Sequence, residues 1–150
     1  MVCCHPPSSP SYSYTADARR PTTALKHYTS KLRNYSDLES ISTFGFRGEA
    51  LSSLCALSDL TITTARACDA PKGVKLVFET SGKLIAQNVV AASKGTAVCS
   101  ANLFKTLPVR RKELERNIKR EYTKVLGYLQ AYASICVGVK FSVFHQPVKG

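Results

Sequence analysis

The apolar period of the chain changes at Ser58, and few folds accommodate what stands on its two sides. Before it, Leu51, Leu54, Cys55 and Ser58 recur at helical spacing and predict a helix through about Leu57. After it, Leu60, Ile62 and Thr64 alternate with Thr61 and Thr63, so the chain passes directly from helix to strand. Val74, Leu76 and Phe78 repeat the alternation, Ser81-Gly82 supplies a hairpin turn into Leu84 to Val90, and Gly95 opens a fourth strand over Thr96 to Leu103. Asp69 to Gly73, with Pro71, reads as a loop. The pattern predicts an α+β chain in which the helix lays its apolar face on a sheet.

Immediately upstream stands Gly45-Phe46-Arg47-Gly48, followed by Glu49-Ala50-Leu51 as the first turn of that helix. Two glycines remove the side chains that would hold a ligand away from the backbone. The first amides of a helix lack internal partners and carry the positive end of its dipole, so this spacing suits a phosphate; it equally suits a plain tight turn. Twelve or more residues earlier, Thr29-Ser30-Lys31 offers two hydroxyls and an ammonium to a polyphosphate, or a solvated helix cap. From Thr23 to Ser42 the chain is polar with scattered apolar residues and predicts a short helical or looped approach.

Downstream of the strands, Thr106-Leu107-Pro108 marks a helix start, with Thr106 as cap and Pro108 in the first turn. Arg110, Arg111, Lys112, Arg116, Lys119, Arg120 and Lys124 follow, opposed only by Glu113, Glu115 and Glu121. Ile118, Tyr122, Val125, Leu126, Leu129, Ala133 and Cys136 keep an apolar stripe, so the helix from about Asn117 packs one side and presents cations on the other. With a net charge of +11, this segment reads either as a solvated face or as a surface for the phosphates of nucleic acid. A last strand is expected over Val137 to Phe144.

Several classes are excluded. No apolar run approaches the roughly 18 residues that span a bilayer. Pro6, Pro7, Ser8, Ser9 and Pro10 occupy the place of a secretory core segment, and residues 1–22, rich in Pro, Ser, Tyr and Thr, read as disordered. The 6 cysteines are spread along the chain without a Cys-x-x-Cys pair, which argues against zinc and for a reducing compartment.

Gly45-Phe46-Arg47-Gly48-Glu49-Ala50-Leu51, preceded by Thr29-Ser30-Lys31-Leu32, resembles the third ATP-binding motif of the MutL mismatch-repair proteins. Gly95-Thr96 with Leu103-Phe104 and Leu107-Pro108-Val109-Arg110-Arg111-Lys112 is similar to their fourth. Leu25-Lys26-His27 and Arg116-Asn117-Ile118-Lys119-Arg120-Glu121-Tyr122 point to the eukaryotic post-meiotic-segregation branch. The resemblance runs from about Thr23 to about Phe144.

It implies a two-layer helix/sheet sandwich of the kind shared by gyrase, heat-shock chaperones, histidine kinases and MutL, here incomplete. By the same resemblance, residues 23–136 are part of the ATP-binding domain, 137–150 begin a second, transducer domain, and 1–22 are foreign to the family. The implied ligand is ATP with Mg²⁺, contacted by Thr29, Ser30, Lys31, Gly45, Phe46, Arg47, Gly48, Glu49, Ala50, Leu51 and Thr96. The implied partners are double-stranded DNA, a second MutL-type subunit and mismatch-recognition proteins, in the nucleus. The family's Glu-x-x-x-Asn helix and Asp-x-Gly-x-Gly turn are not found upstream, nor is the transducer lysine downstream. No catalytic residue is therefore assigned, and the chain reads as the product of a truncated or misjoined gene model. Glu113 and Asn117 reproduce the Glu-to-Asn spacing of four, but they follow the glycine motif where the family's pair precedes it.

Overall fold

A computed structural model of the chain describes residues 21–29, 31–32, 34–41 and 45–146, together with the backbone of 2–5. Ser30 and most of the leader read as disordered lie outside the described residues. By its contacts the chain forms two compact units, residues 12–107 and residues 1–11 with 108–150.

In the unit of residues 12–107, helix α1 (Ala50–Leu57) is followed by strands β2 (Asp59–Ala65), β3 (Lys72–Phe78), β4 (Leu84–Ala91) and β5 (Gly95–Ala101), β1 (Val2–His5) lying in the other unit. Ser58 makes the abrupt change from helix to strand. Its amide and its Oγ both donate to the Leu54 carbonyl, at 2.8 and 2.7 Å, and its backbone is already extended. The hydroxyl thereby adds a second bond to the carbonyl that the Ser58 amide already pairs, and closes the helix end. The strands form one antiparallel sheet in the order β4-β3-β2-β5.

The register sets Leu60, Ile62 and Thr64 on one face, beside Leu76 of β3 and opposite Ser100, Val98 and Thr96 of β5. On that face Leu60, Ile62, Leu76 and Phe78 close into a core with Cys55 of α1 and Ala24, and Leu51, Leu54, Val74 and Leu84 pack around it. Burial raises the Cys55 thiol pKa above its ordinary range. The expected helix-on-sheet layering is therefore what forms, as a single helix over the middle strands. Val89 and Val98, on the outer strands, stay 68% and 46% exposed.

β5 ends at Ala101, short of the Leu103 expected from alternation, because Asn102 turns left-handed at φ 53°. The turn is held from below: Phe104 N–H donates to the Leu57 carbonyl at 2.7 Å, Asn102 Nδ2 donates to Asp59 Oδ2 at 2.8 Å, and Lys105 pairs with the other Asp59 oxygen. The hydrogen bonds from Asn102 and Lys105 draw the Asp59 carboxyl pKa below its usual range.

The second unit contains helix α2 (Pro108–Ile135) and strand β6 (Lys140–Val143), which pairs antiparallel with β1 (Val2–His5). The basic segment and the apolar stripe belong to one continuous helix that opens on Pro108, where a missing amide costs nothing. β6 begins later than Val137 because Val137 and Gly138 turn the chain after the helix, Gly138 at φ 76°. No described residue of α2 is fully buried: the stripe is half-covered at Leu114, Tyr122, Leu126 and Leu129 and open at Ile118 and Val125. The Pro- and Ser-rich leader carries no period of its own, so the strand Val2–His5 owes its place to the partner strand.

A carboxyl whose pKa is lowered on folding adds stability that is present above its unfolded pKa and lost as pH falls through the folded value. Asp59→Asn is expected to flatten the decline of thermal midpoint below about pH 4, where a free aspartate titrates. An unchanged acid limb in Asp59→Asn would show that the contacts to Asn102 and Lys105 do not hold the turn.

Candidate functional site

The glycine loop is docked by residues 21–29 and 31. His27 N–H donates to the Gly48 carbonyl at 3.2 Å, His27 Nδ1 lies 3.2 Å from Glu49 Oε1, and Lys31 Nζ donates to the Gly45 carbonyl at 2.8 Å. Thr29 Oγ1 in turn accepts the Lys31 amide at 3.2 Å. Thr29, Lys31 and the stretch Gly45 to Leu51 are thus brought to one place.

The two glycines do different work. Gly48 sits at φ +66°, and a Cβ on it would overlap the Tyr28 carbonyl. Its missing side chain admits a neighbouring peptide, whereas sequence reasoning assigns that space to a ligand. Gly45 has nothing within 4 Å of the Cβ position, so this side of the loop is open. Phe46 is half-buried, and the exposed Arg47 guanidinium stands 5.7 Å from its ring centroid.

At the mouth of α1, Glu49 is the N-cap residue and its carbonyl accepts the Ser53 amide at 3.0 Å. The amides of Ala50, Leu51 and Ser52 precede that first bond and have no intrahelical partner. Glu49 makes no capping bond of its own; its carboxylate is engaged by His27. Open amides, an open glycine and a lysine ammonium at the same loop are a combination that fits an anion of phosphate type. Among the described residues no group of three or more His, Cys, Asp or Glu side chains could hold a metal ion.

Thr96 lies at the start of β5, on the helix-bearing face of the sheet, exposed, with its Oγ1 2.8 Å from that of the buried Thr64. The contacts of His27 and Thr64 could not be read from the sequence. His27 and Glu49 are far apart along the chain, and Thr64 looks like any strand residue.

The basic residues fall in the other compact unit, on α2. All 7 of Arg110, Arg111, Lys112, Arg116, Lys119, Arg120 and Lys124 are exposed. Helical geometry puts Lys112, Arg116, Lys119 and Arg120 in one ridge, opposite the stripe of Leu114, Ile118, Tyr122, Val125 and Leu129. Carboxylates engage only part of the set. Arg111 pairs with Glu115 at 3.1 Å, while Arg120 and Lys124 share Glu121 at 3.5 and 2.9 Å. Lys124 first, then Arg120, hold the Glu121 carboxyl pKa below its usual range. Arg110, Lys112, Arg116 and Lys119 have no ion pair among the described residues. Glu113 and Asn117 sit on this same helix, in a different compact unit from the glycine loop.

No family model matches the chain. It is 51% identical over 121 residues to the DNA mismatch repair protein pms1 of Schizosaccharomyces pombe, an alignment of 81% of this chain with 15% of the relative. It is 52% identical over 127 residues to the mismatch repair endonuclease PMS2 of Mus musculus, covering 85% of this chain and 15% of that one. Among solved structures it is similar to the N-terminal domain of a DNA repair protein. The two share 38% identity and a TM-score of 0.61, over 80% of this chain and 32% of the other. The chain therefore spans about 15% of the length of these curated relatives.

Gly48→Ala is expected to destabilise the unit by more than about 1 to 2 kcal/mol, from left-handed strain alone before the overlap with Tyr28 is counted. Gly45→Ala is expected to change stability by less than about 0.5 kcal/mol, as at an open surface site. Urea unfolding of both variants checks this, and equal losses would show that the motif acts as one structural turn.

Proposed function

The chain belongs to the MutL family of DNA mismatch-repair proteins, in the eukaryotic branch of the PMS1 and PMS2 proteins, and on that footing we propose that residues 23–136 carry the phosphate-binding lid and a DNA-contacting helix of an ATP-dependent clamp. The observation that carries the nucleotide half is the glycine loop, where open space at the Gly45 Cβ position, the first α1 amides without an intrahelical partner and the Lys31 ammonium on the Gly45 carbonyl belong to one short stretch. Thr29, Lys31, Gly45, Phe46, Arg47, Gly48, Glu49, Ala50 and Leu51 are the residues that would surround the phosphates, with Ser30 beside them in sequence and Thr96 contributing a hydroxyl from β5. ATP bound here would draw the loop and the segment of residues 27–31 together. In the whole protein that closure would pair this module with a second MutL-type subunit after mismatch recognition, in the nucleus.

Lys31→Ala removes a charge-assisted contact, generally worth about 1.5 to 3 kcal/mol, and is expected to weaken ADP binding by roughly ten- to a hundredfold. Titration calorimetry on the chain and the variant measures it, and equal affinities would remove Lys31 and this loop from any nucleotide role.

The DNA half rests on the ridge of α2. Each phosphate neutralised releases counterions, so affinity for a short duplex is expected to fall linearly with salt on logarithmic axes, by about 0.9 per contact. Lys112, Arg116 and Lys119, free of carboxylates, are expected to account for most of that slope. Changing the three together to alanine should lower it by about 2 to 3, whereas Arg111→Ala, already paired with Glu115, should leave it nearly unchanged. Contacts to phosphate carry no sequence information, so preference among duplexes should be slight. A slope that survives the triple substitution would make α2 a solvated face. Duplex binding without any ADP binding would favour an electrostatic DNA-binding module that uses no nucleotide.

A further inference from the structure

On the helix-bearing face of the sheet two hydroxyls of β5 are paired, one with Ser58 just before β2 and one with Thr64 within it, and the two pairs are wired differently. At one end Ser100 Oγ donates to Ser58 Oγ at 2.8 Å, and Ser58 Oγ donates to the Leu54 carbonyl at 2.7 Å. There the protons run from β5 inward and end on a backbone acceptor. At the other end Thr64 Oγ1 lies 2.8 Å from Thr96 Oγ1, and no carbonyl terminates the pair. Thr64 is fully buried, and Thr96 Oγ1 is the only partner of its hydroxyl among the described residues. A buried hydroxyl proton without an acceptor is costly, while an unused lone pair is better tolerated. Thr96 is exposed and can give its own proton to solvent or ligand at no such cost. Burial therefore makes Thr64 the donor.

We infer that Thr64 is a positioning residue for the nucleotide site: it donates to Thr96 Oγ1, fixes that side chain's rotamer, and leaves the Thr96 proton pointing outward as a donor to an acceptor atom of the bound nucleotide. This rests on the reading of Thr96 as a nucleotide contact. It assigns a binding role, transmitted through a neighbour, to a core residue that touches no ligand. The consequence for recognition is directional. The site offers a hydroxyl donor at Thr96, so it favours a ligand atom with a lone pair there over one bearing a hydrogen.

Two measurements separate the parts. In the nucleotide-free chain, three-bond NMR couplings report the Thr96 χ1 angle, which is expected to be a single rotamer in the parent and in Thr64→Ser and averaged in Thr64→Val. ADP titration is expected to show about five- to tenfold weaker binding for Thr64→Val, recovery to within about twofold in Thr64→Ser, and a similar loss in Thr96→Val. Combining Thr64→Val with Thr96→Val should add nothing to Thr96→Val alone, because both act through one hydroxyl. An unchanged Thr96 rotamer and unchanged affinity in Thr64→Val overturn the inference, as do additive losses in the double variant. If the parent binds no ADP, the nucleotide reading itself fails and takes the ligand donor with it, while the couplings still decide whether Thr64 orients Thr96.

Discussion

Two peptide carbonyls pressed against two glycines set the packing of the loops in the unit of residues 12–107. The Tyr28 carbonyl occupies the space a side chain on Gly48 would need, and the Ala24 carbonyl does the same at Gly82, in the β3–β4 hairpin turn. Both glycines have positive φ, and between them the segment of residues 21–29 lies flat enough to sink Ala24 completely into the core. Only a backbone can approach a backbone so closely, and only glycine permits it. The position of the glycine loop is thus set by a stretch with no regular element of its own, clamped at its two ends by turns far apart in sequence.

On that clamp rest the polar details. His27 reaches the Gly48 carbonyl and the Glu49 carboxylate, and Lys31 the Gly45 carbonyl, because residues 27–31 are held alongside the loop. On the sheet, buried hydroxyls must be paired, which ties Ser58 to Ser100 and Thr64 to Thr96 and gives β5 its side-chain orientation. Asp59, at the start of β2, holds the turn after β5 through Asn102 and Lys105. Exposed pairs of this kind contribute little alone; here they act with the backbone bond from Phe104 to Leu57.

The basic helix follows a different logic. Its seven cations are all exposed, and attraction between cations and phosphate is in general long in range and tolerant in geometry. What the fold contributes is sorting: Glu115 and Glu121 engage Arg111, Arg120 and Lys124, and among the described residues leave Lys112, Arg116 and Lys119 without an ion pair along one ridge. A count of seven cations to three carboxylates conceals that division.

By itself the sequence determined the order and type of the main elements, because the change of period at Ser58 and the later alternations are local signals, and the family, because its motifs stand in order along the chain. It placed Thr29, Lys31 and the glycine loop in one group through that same order. Only the tertiary structure decided that Gly48 is required by Tyr28 while Gly45 is open, that β5 stops at Asn102, that α2 is continuous from Pro108, and that Thr64 answers Thr96. Each of those depends on which atoms meet across tens of residues. A one-dimensional pattern records the period of a side chain, and not the partner that burial obliges it to find.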